Sequence, residues 1–137
     1  MGEKDPRIIF KAFIDTLAAR LPLHAVILFG SRARGTSGPW SDYDIIVIAD
    51  FTGRFVSRGK WVVQLAPDVP VDIFCYTPGE FERMFSSFNL TAIDAIGEGV
   101  VLHGEAFVEP YKRRHEMLLD RGLKKTAHVL EPPGQAC

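Results

Sequence analysis

The chain has 137 residues, 47% of them hydrophobic and 24% charged, which suits one globular domain with room for a single core. A formal net charge of -1 leaves no overall basic field for holding nucleic acid by phosphate neutralisation, so nucleic acid is not expected as a direct ligand. No apolar run approaches membrane-spanning length and the opening MGEKDPRIIF lacks the apolar centre of a secretory signal, so a cytoplasmic protein with no membrane partner is expected. Cys75 in an apolar run and Cys137 at the last position give neither a disulfide framework nor metal-ligand spacing.

From Arg7 to Arg20, Ile9, Phe13 and Leu17 recur at helical spacing and Pro22 ends the segment, which predicts one amphipathic helix. HAVILFG, His24 to Gly30, and YDIIVIAD, Tyr43 to Asp50, are β-rich runs without alternation, the mark of strands covered on both faces. Phe55, Val62 and Leu65 suggest a helix over Arg54 to Ala66, although Gly59 weakens it. VPVDIFCY, Val69 to Tyr76, reads as a third strand. Thr77 then caps a helix whose first residue is Pro78 and whose Phe81, Phe85 and Phe88 share a face. With Met84 these phenylalanines form a cluster expected in the core, a partner surface being the alternative.

TAIDAIGEG predicts a short helix closing at Gly97 or Gly99, followed by a fourth, shorter strand in VVLHG. Ala106 to Lys125 resembles a last helix. Residues 1–125 are thus expected to form one domain and 126–137 a disordered tail. The alternation of helices with buried strands predicts an α/β architecture with a sheet of about four strands flanked by helices. Only about a dozen residues, Ser31 to Asp42, join the first two strands, so an antiparallel pair and a mixed sheet are expected.

Asp42 and Asp44 flank Tyr43 and project from one face of the second strand. At an effective dielectric near 20, charges ~4 Å apart repel by about 4 kcal/mol, so two ionised aspartates call for a cation or a raised pKa. Hard oxygen donors suit Mg²⁺, with Mn²⁺ as an alternative. Asp72 lies between Val71 and Ile73, where burial without a partner would be costly, so it is expected to join the pair if the second and third strands are neighbours. Such a cluster would hold two metal ions and serve phosphoryl or nucleotidyl transfer. Opposite it, Gly30 permits close approach, Ser31 opens a helical turn that presents N–H groups and a hydroxyl to an anion, and Arg32 and Arg34 add charge.

The order Phe29-Gly30-Ser31, ten residues, then Asp42-Tyr43-Asp44-Ile45 resembles the signature of the DNA polymerase β-type nucleotidyltransferase superfamily, with Asp72 matching its third carboxylate. The length and AIGEGVVLHGE, Ala95 to Glu105, are similar to the minimal nucleotidyltransferases, which include the MntA-type antitoxins. The resemblance implies that superfamily's fold, with Gly30 and Ser31 on the nucleotide triphosphate. It also implies that Asp42, Asp44 and Asp72 are catalytic and bind two Mg²⁺ ions, Asp72 helping to activate the acceptor hydroxyl. The phosphate role of Arg32 and Arg34 comes from charge and position, not from the signature.

The expected activity is transfer of a nucleoside monophosphate, AMP from ATP in the first instance, to an acceptor hydroxyl. Only a short helix follows the core, so the acceptor is expected on another chain; the resemblance points to a tyrosine of a HEPN-type partner toxin. The alternative is a non-catalytic nucleotide-binding or antitoxin module that masks its partner, and a homo-oligomer is left open. Asp50 is expected to end its strand, Asp94 to be solvated, and His24, His103, His115 and His128 to be structural or surface residues.

Overall fold

In the computed structural model, residues 5–35, 42–52, 55–125 and 130–131 are described. The N-terminal helical segment is two helices, α1 (Pro6–Ile9) and α2 (Lys11–Arg20), where the periodicity suggested one. The Asp5 side chain accepts from the Arg7 N–H at 2.9 Å and Pro6 occupies the first turn, so α1 has a complete N-terminal stop of its own. Phe10 sits between the two helices at φ -98° and ψ 3°, fully buried. Apolar spacing reports which face is covered and is blind to such a local break.

The strands are β1 (Leu23–Phe29), β2 (Tyr43–Ala49), β3 (Val71–Tyr76) and β4 (Val100–His103), in the spatial order β3-β2-β1-β4. As the short connection required, β1 and β2 are antiparallel; β3 runs parallel to β2, and β4 is antiparallel to β1. The remaining helices are α3 (Ser31–Arg34), α4 (Phe55–Gln64), α5 (Pro78–Ser86), α6 (Leu90–Glu98) and α7 (Glu105–Asp120). Gly99, not Gly97, receives the end of α6. The last helix stops at Asp120, short of the expected Lys125; Lys124–Lys125 form a short strand, β5, paired with β6 (Leu130–Glu131). The rest of the expected tail lies outside the described residues.

Absence of alternation in β1 and β2 has the anticipated cause, a helical layer on each face. On one face Val26, Leu28, Ile45 and Val47 pack with Phe10, Phe13 and Leu17 of the N-terminal segment and Val62 of α4. On the other, Ile27, Ile46 and Ile48 meet Phe81 and Phe85 of α5, Ile93 and Ile96 of α6, and Val108 and Tyr111 of α7. The phenylalanine cluster is therefore core, with Phe88, just beyond α5, half-buried against it. At roughly 1.5–3 kcal/mol for each large apolar side chain removed from water, these two layers supply the main driving force that holds the sheet's register.

Candidate active site

The register of β2 and β3 pairs Asp44 directly with Asp72. Directly paired residues of neighbouring strands share a face, and neighbouring strands lie ~5 Å apart, so the two carboxylates are neighbours on the side of the sheet carrying α5, α6 and α7. Ile46 and Phe74, two residues further on, are the next pair along that face and belong to its core. The acids thus sit where the strands begin, beyond the reach of that core. Asp42 is exposed at the entry to β2.

Asp72 is exposed as well, which corrects the expectation of a buried carboxylate. Its apolar neighbours Val71 and Ile73 face the opposite core, while Asp72 is the second residue of an edge strand. An aspartate between apolar residues is also what a strand end produces when one face is covered and the other is open to solvent.

The Asp44 carboxyl is pushed above its ordinary value, first by burial, then by the Asp72 and Asp42 charges, with Arg34 opposing. At ~5 Å the repulsion between two carboxylates ranges from about 1 kcal/mol in water to about 3 kcal/mol at an effective dielectric of 20. A hard divalent cation would relieve that strain, and carboxylate oxygens are the donors it prefers. Among the described residues no three His, Cys, Asp or Glu side chains close into a ready-made cage. Asp44 and Asp72 are in register, and the Asp42 charge is also felt at Asp44.

Gly30 is forced by its neighbour. It stands at φ 76°, and a Cβ there would land on the Asp44 carboxylate. Phe29 pairs with Asp44 across β1 and β2, which brings the end of β1 against the acid. Ser31 opens α3, whose Ala33 and Arg34 N–H groups both donate to the Gly30 carbonyl at 3.1 Å. The earliest N–H groups of a helix have no acceptor within it, so the turn starting at Ser31 has donors to offer beside the aspartates. Gly35 ends α3 in the left-handed conformation; Gly38 and Pro39, expected to turn the chain back, lie outside the described residues.

The two arginines have protein partners. The Arg32 guanidinium lies over the Tyr43 ring, 4.5 Å from its centre, and Arg34 donates to Glu98 Oε2 at 3.3 Å. Glu98 lies within AIGEGVVLHGE, but its pairing with Arg34 escapes sequence reasoning because 64 residues separate the two. Elsewhere, Asp50 ends its strand as expected and pairs with His24 Nε2 at 2.7 Å. Asp94 is half-buried rather than solvated, facing His115. A cleft of about 240 Å³ between α5 and α7, lined by Phe85, Phe88, Arg114 and Met117 among others, contains none of the predicted site residues.

A short glycine-serine turn stands against paired strand carboxylates, and the nucleotidyltransferase domain family matches residues 10–126. The chain belongs to that family. Solved structures of similar fold include a chain of a toxin–antitoxin complex with AMP-PNP, 24% identical over 80% of this chain and 86% of that one, with TM-score 0.54. A mutant MntA–HpeT toxin–antitoxin chain is 22% identical over 86% of this chain and 88% of that one, with TM-score 0.56. A chain from the complex of tri-AMPylated Shewanella oneidensis HEPN toxin with MNT antitoxin is 21% identical over 84% of this chain and 91% of that one, with TM-score 0.50. At these identities the likeness is one of fold. No curated protein matches the chain. No described helix is long and apolar enough to cross a membrane.

Proposed function

We propose that this nucleotidyltransferase moves AMP from ATP to a hydroxyl on a partner protein, a HEPN-type toxin, in the manner of an MntA-type antitoxin. The observation that carries the reading is the Asp44–Asp72 pair set against Gly30. The similar fold of a chain from a complex containing a tri-AMPylated HEPN toxin supports the choice of acceptor.

In this reading Gly30 and Ser31 receive the triphosphate, and Asp42, Asp44 and Asp72 hold Mg²⁺, two ions in the full site. Bound there, the divalent cation supplies charge neutralisation for the triphosphate and for the developing leaving group. The acceptor oxygen forms a bond to the α-phosphorus as the bond to the pyrophosphate oxygen breaks, and pyrophosphate departs. The acceptor's proton passes to Asp72, whose exposure suits it to meet a hydroxyl brought by another protein. A tyrosine hydroxyl is the expected acceptor.

Incubation with ATP labelled at the α-phosphate, Mg²⁺ and a HEPN-type toxin tests this. Label is expected on a toxin tyrosine, and Asp72→Asn is expected to slow its transfer by about a hundredfold or more. Absence of label from the toxin, or labelling unchanged by that substitution, overturns the reading. Toxin neutralisation that persists in Asp42→Asn and Asp44→Asn variants without label would instead establish a masking module.

A further inference from the structure

The cleft between α5 and α7 has one wall built on a helical stripe. Arg114, Met117, Leu118 and Arg121 follow one another at i, i+3, i+4 and i+7 along α7 and its C-terminal cap, so they share a face. Phe85 near the end of α5 and Phe88 just beyond it form the opposite wall. Phe88 stands at φ 61°, a left-handed conformation that is rare for an aromatic residue, with its ring half-buried against the core. Met117 is 52% exposed, and its unbranched, polarisable side chain is of the kind that adapts to a protein partner.

The polar lining of the cleft is Ser86 and the two arginines. Arg114 is engaged: its terminal nitrogens reach Glu82 and Ser86, and its guanidinium lies over the Phe85 ring, 4.8 Å from its centre. Arg121 stands exposed at the rim. At about 100° per residue the acids of this stretch, Glu116 and Asp120, fall outside the stripe. An apolar floor with a cation at its edge is complementary to an apolar side chain set beside a carboxylate.

The cleft also lies at the right end of the molecule. The first residues of α7 follow Gly104, where an added Cβ would strike the His24 carbonyl, at the end of β1 away from Phe29 and its partner Asp44. By His115 the helix has reached α6, where a Cβ on Gly97 would stand 2.8 Å from the imidazole, and the next residue, Glu98, meets Arg34 of α3. Thus α7 advances towards the acids' end of the sheet, over the face that carries Asp44 and Asp72, and the cleft occupies its last two turns.

We propose that this cleft seats the protein that brings the acceptor hydroxyl, through a helix of that partner bearing a large apolar side chain and, one turn away, a carboxylate. The apolar group enters between Phe88 and Met117, and the carboxylate meets Arg121. Met117 and Arg121 are four residues apart, neighbours ~6 Å apart on a helix, which sets the one-turn spacing. The proposal rests on the reading of a protein acceptor. Because the cleft holds none of the acids, docking and chemistry are separable.

The test is titration of a HEPN-type toxin with the full chain by calorimetry, beside binding of a non-hydrolysable ATP analogue with Mn²⁺. Arg121→Glu and Met117→Glu are each expected to weaken toxin binding by about tenfold or more, with analogue binding and melting temperature unchanged. Arg121→Lys, which keeps the charge, is expected to restore most of the affinity, and Arg20→Glu, an equal charge reversal on the exposed face of α2, to bind as wild type. Wild-type toxin binding by either cleft variant, or equal weakening by Arg20→Glu, would overturn the docking site while leaving the transfer reading intact. So would a parallel loss of analogue binding, which would place the cleft in the nucleotide site, or a wild-type homodimer that Met117→Glu dissociates, which would make the occupant a second copy. Failure of the wild-type chain to bind the toxin would overturn the protein-acceptor reading as well.

Discussion

At the scale of single residues, Gly30 and Asp44 form one unit. The backbone turns through φ 76° where a side chain would collide with the carboxylate. Gly30→Ala therefore meets two obstacles, a left-handed conformation and a displaced Asp44, and is expected to cost about 1–3 kcal/mol of stability. It should also abolish Mn²⁺-dependent binding of an ATP analogue; denaturant unfolding and calorimetry check the two effects separately. The need for glycine was legible from its place at the end of a strand. What lay across from it was not, because the partner belongs to the next strand and is set by register.

Arg32 and Arg34, expected as phosphate ligands from their place beside the Gly-Ser turn, each also have a partner within the protein, Tyr43 and Glu98. Charge in a sequence reports what a side chain is able to attract. The fold determines which anion or ring it meets first.

At the scale of elements, α5 shows local chemistry that reads directly from the sequence. Thr77 Oγ1 accepts from the Glu80 N–H at 3.2 Å and Glu80 Oε1 accepts from the Thr77 N–H at 2.7 Å, a complete capping box spanning Pro78. Glu80 also receives Arg58 of α4 at 2.5 Å, so the box ties α5 to the opposite helical layer across the edge strand. Thr77→Ala is expected to lower stability by about 1 kcal/mol in urea unfolding, with the slope unchanged and Thr77→Ser restoring most of the loss. The Arg58 contact was invisible beforehand, since α4 was legible only as apolar spacing. The break at Phe10 was missed for the same reason: a stripe continuous across two helices looks like one helix.

At the scale of the whole molecule, helices far apart in sequence are tied together within a layer by ion pairs. Glu82 of α5 accepts from both terminal nitrogens of Arg114 of α7 at 2.6 and 2.9 Å, and the Glu82 carboxyl is held down to about 2, first by the Arg114 hydrogen bonds and then by Ser86. A carboxyl with a lowered pKa in the folded protein adds stability above its ordinary value of 4.5 and loses it as pH falls towards about 2. Both side chains are more than a third exposed, so solvent reduces the contribution to at most ~1 kcal/mol. Glu82→Gln is expected to lower the melting temperature at pH 7, with the gap to wild type closing below pH 4.5; thermal melts across that range check it.

The sequence alone determined the alternating α/β order and the antiparallel entry of the first two strands, because periodicity, turn chemistry and connection length act over short stretches of chain. Only the tertiary structure decided that Asp72 stands in register with Asp44 and remains exposed, that Gly30 abuts that acid, and that Glu98 holds Arg34. Those relations depend on strand order and on helices packed over an edge. They arise when two apolar layers close on one sheet and bring together residues that no local pattern connects.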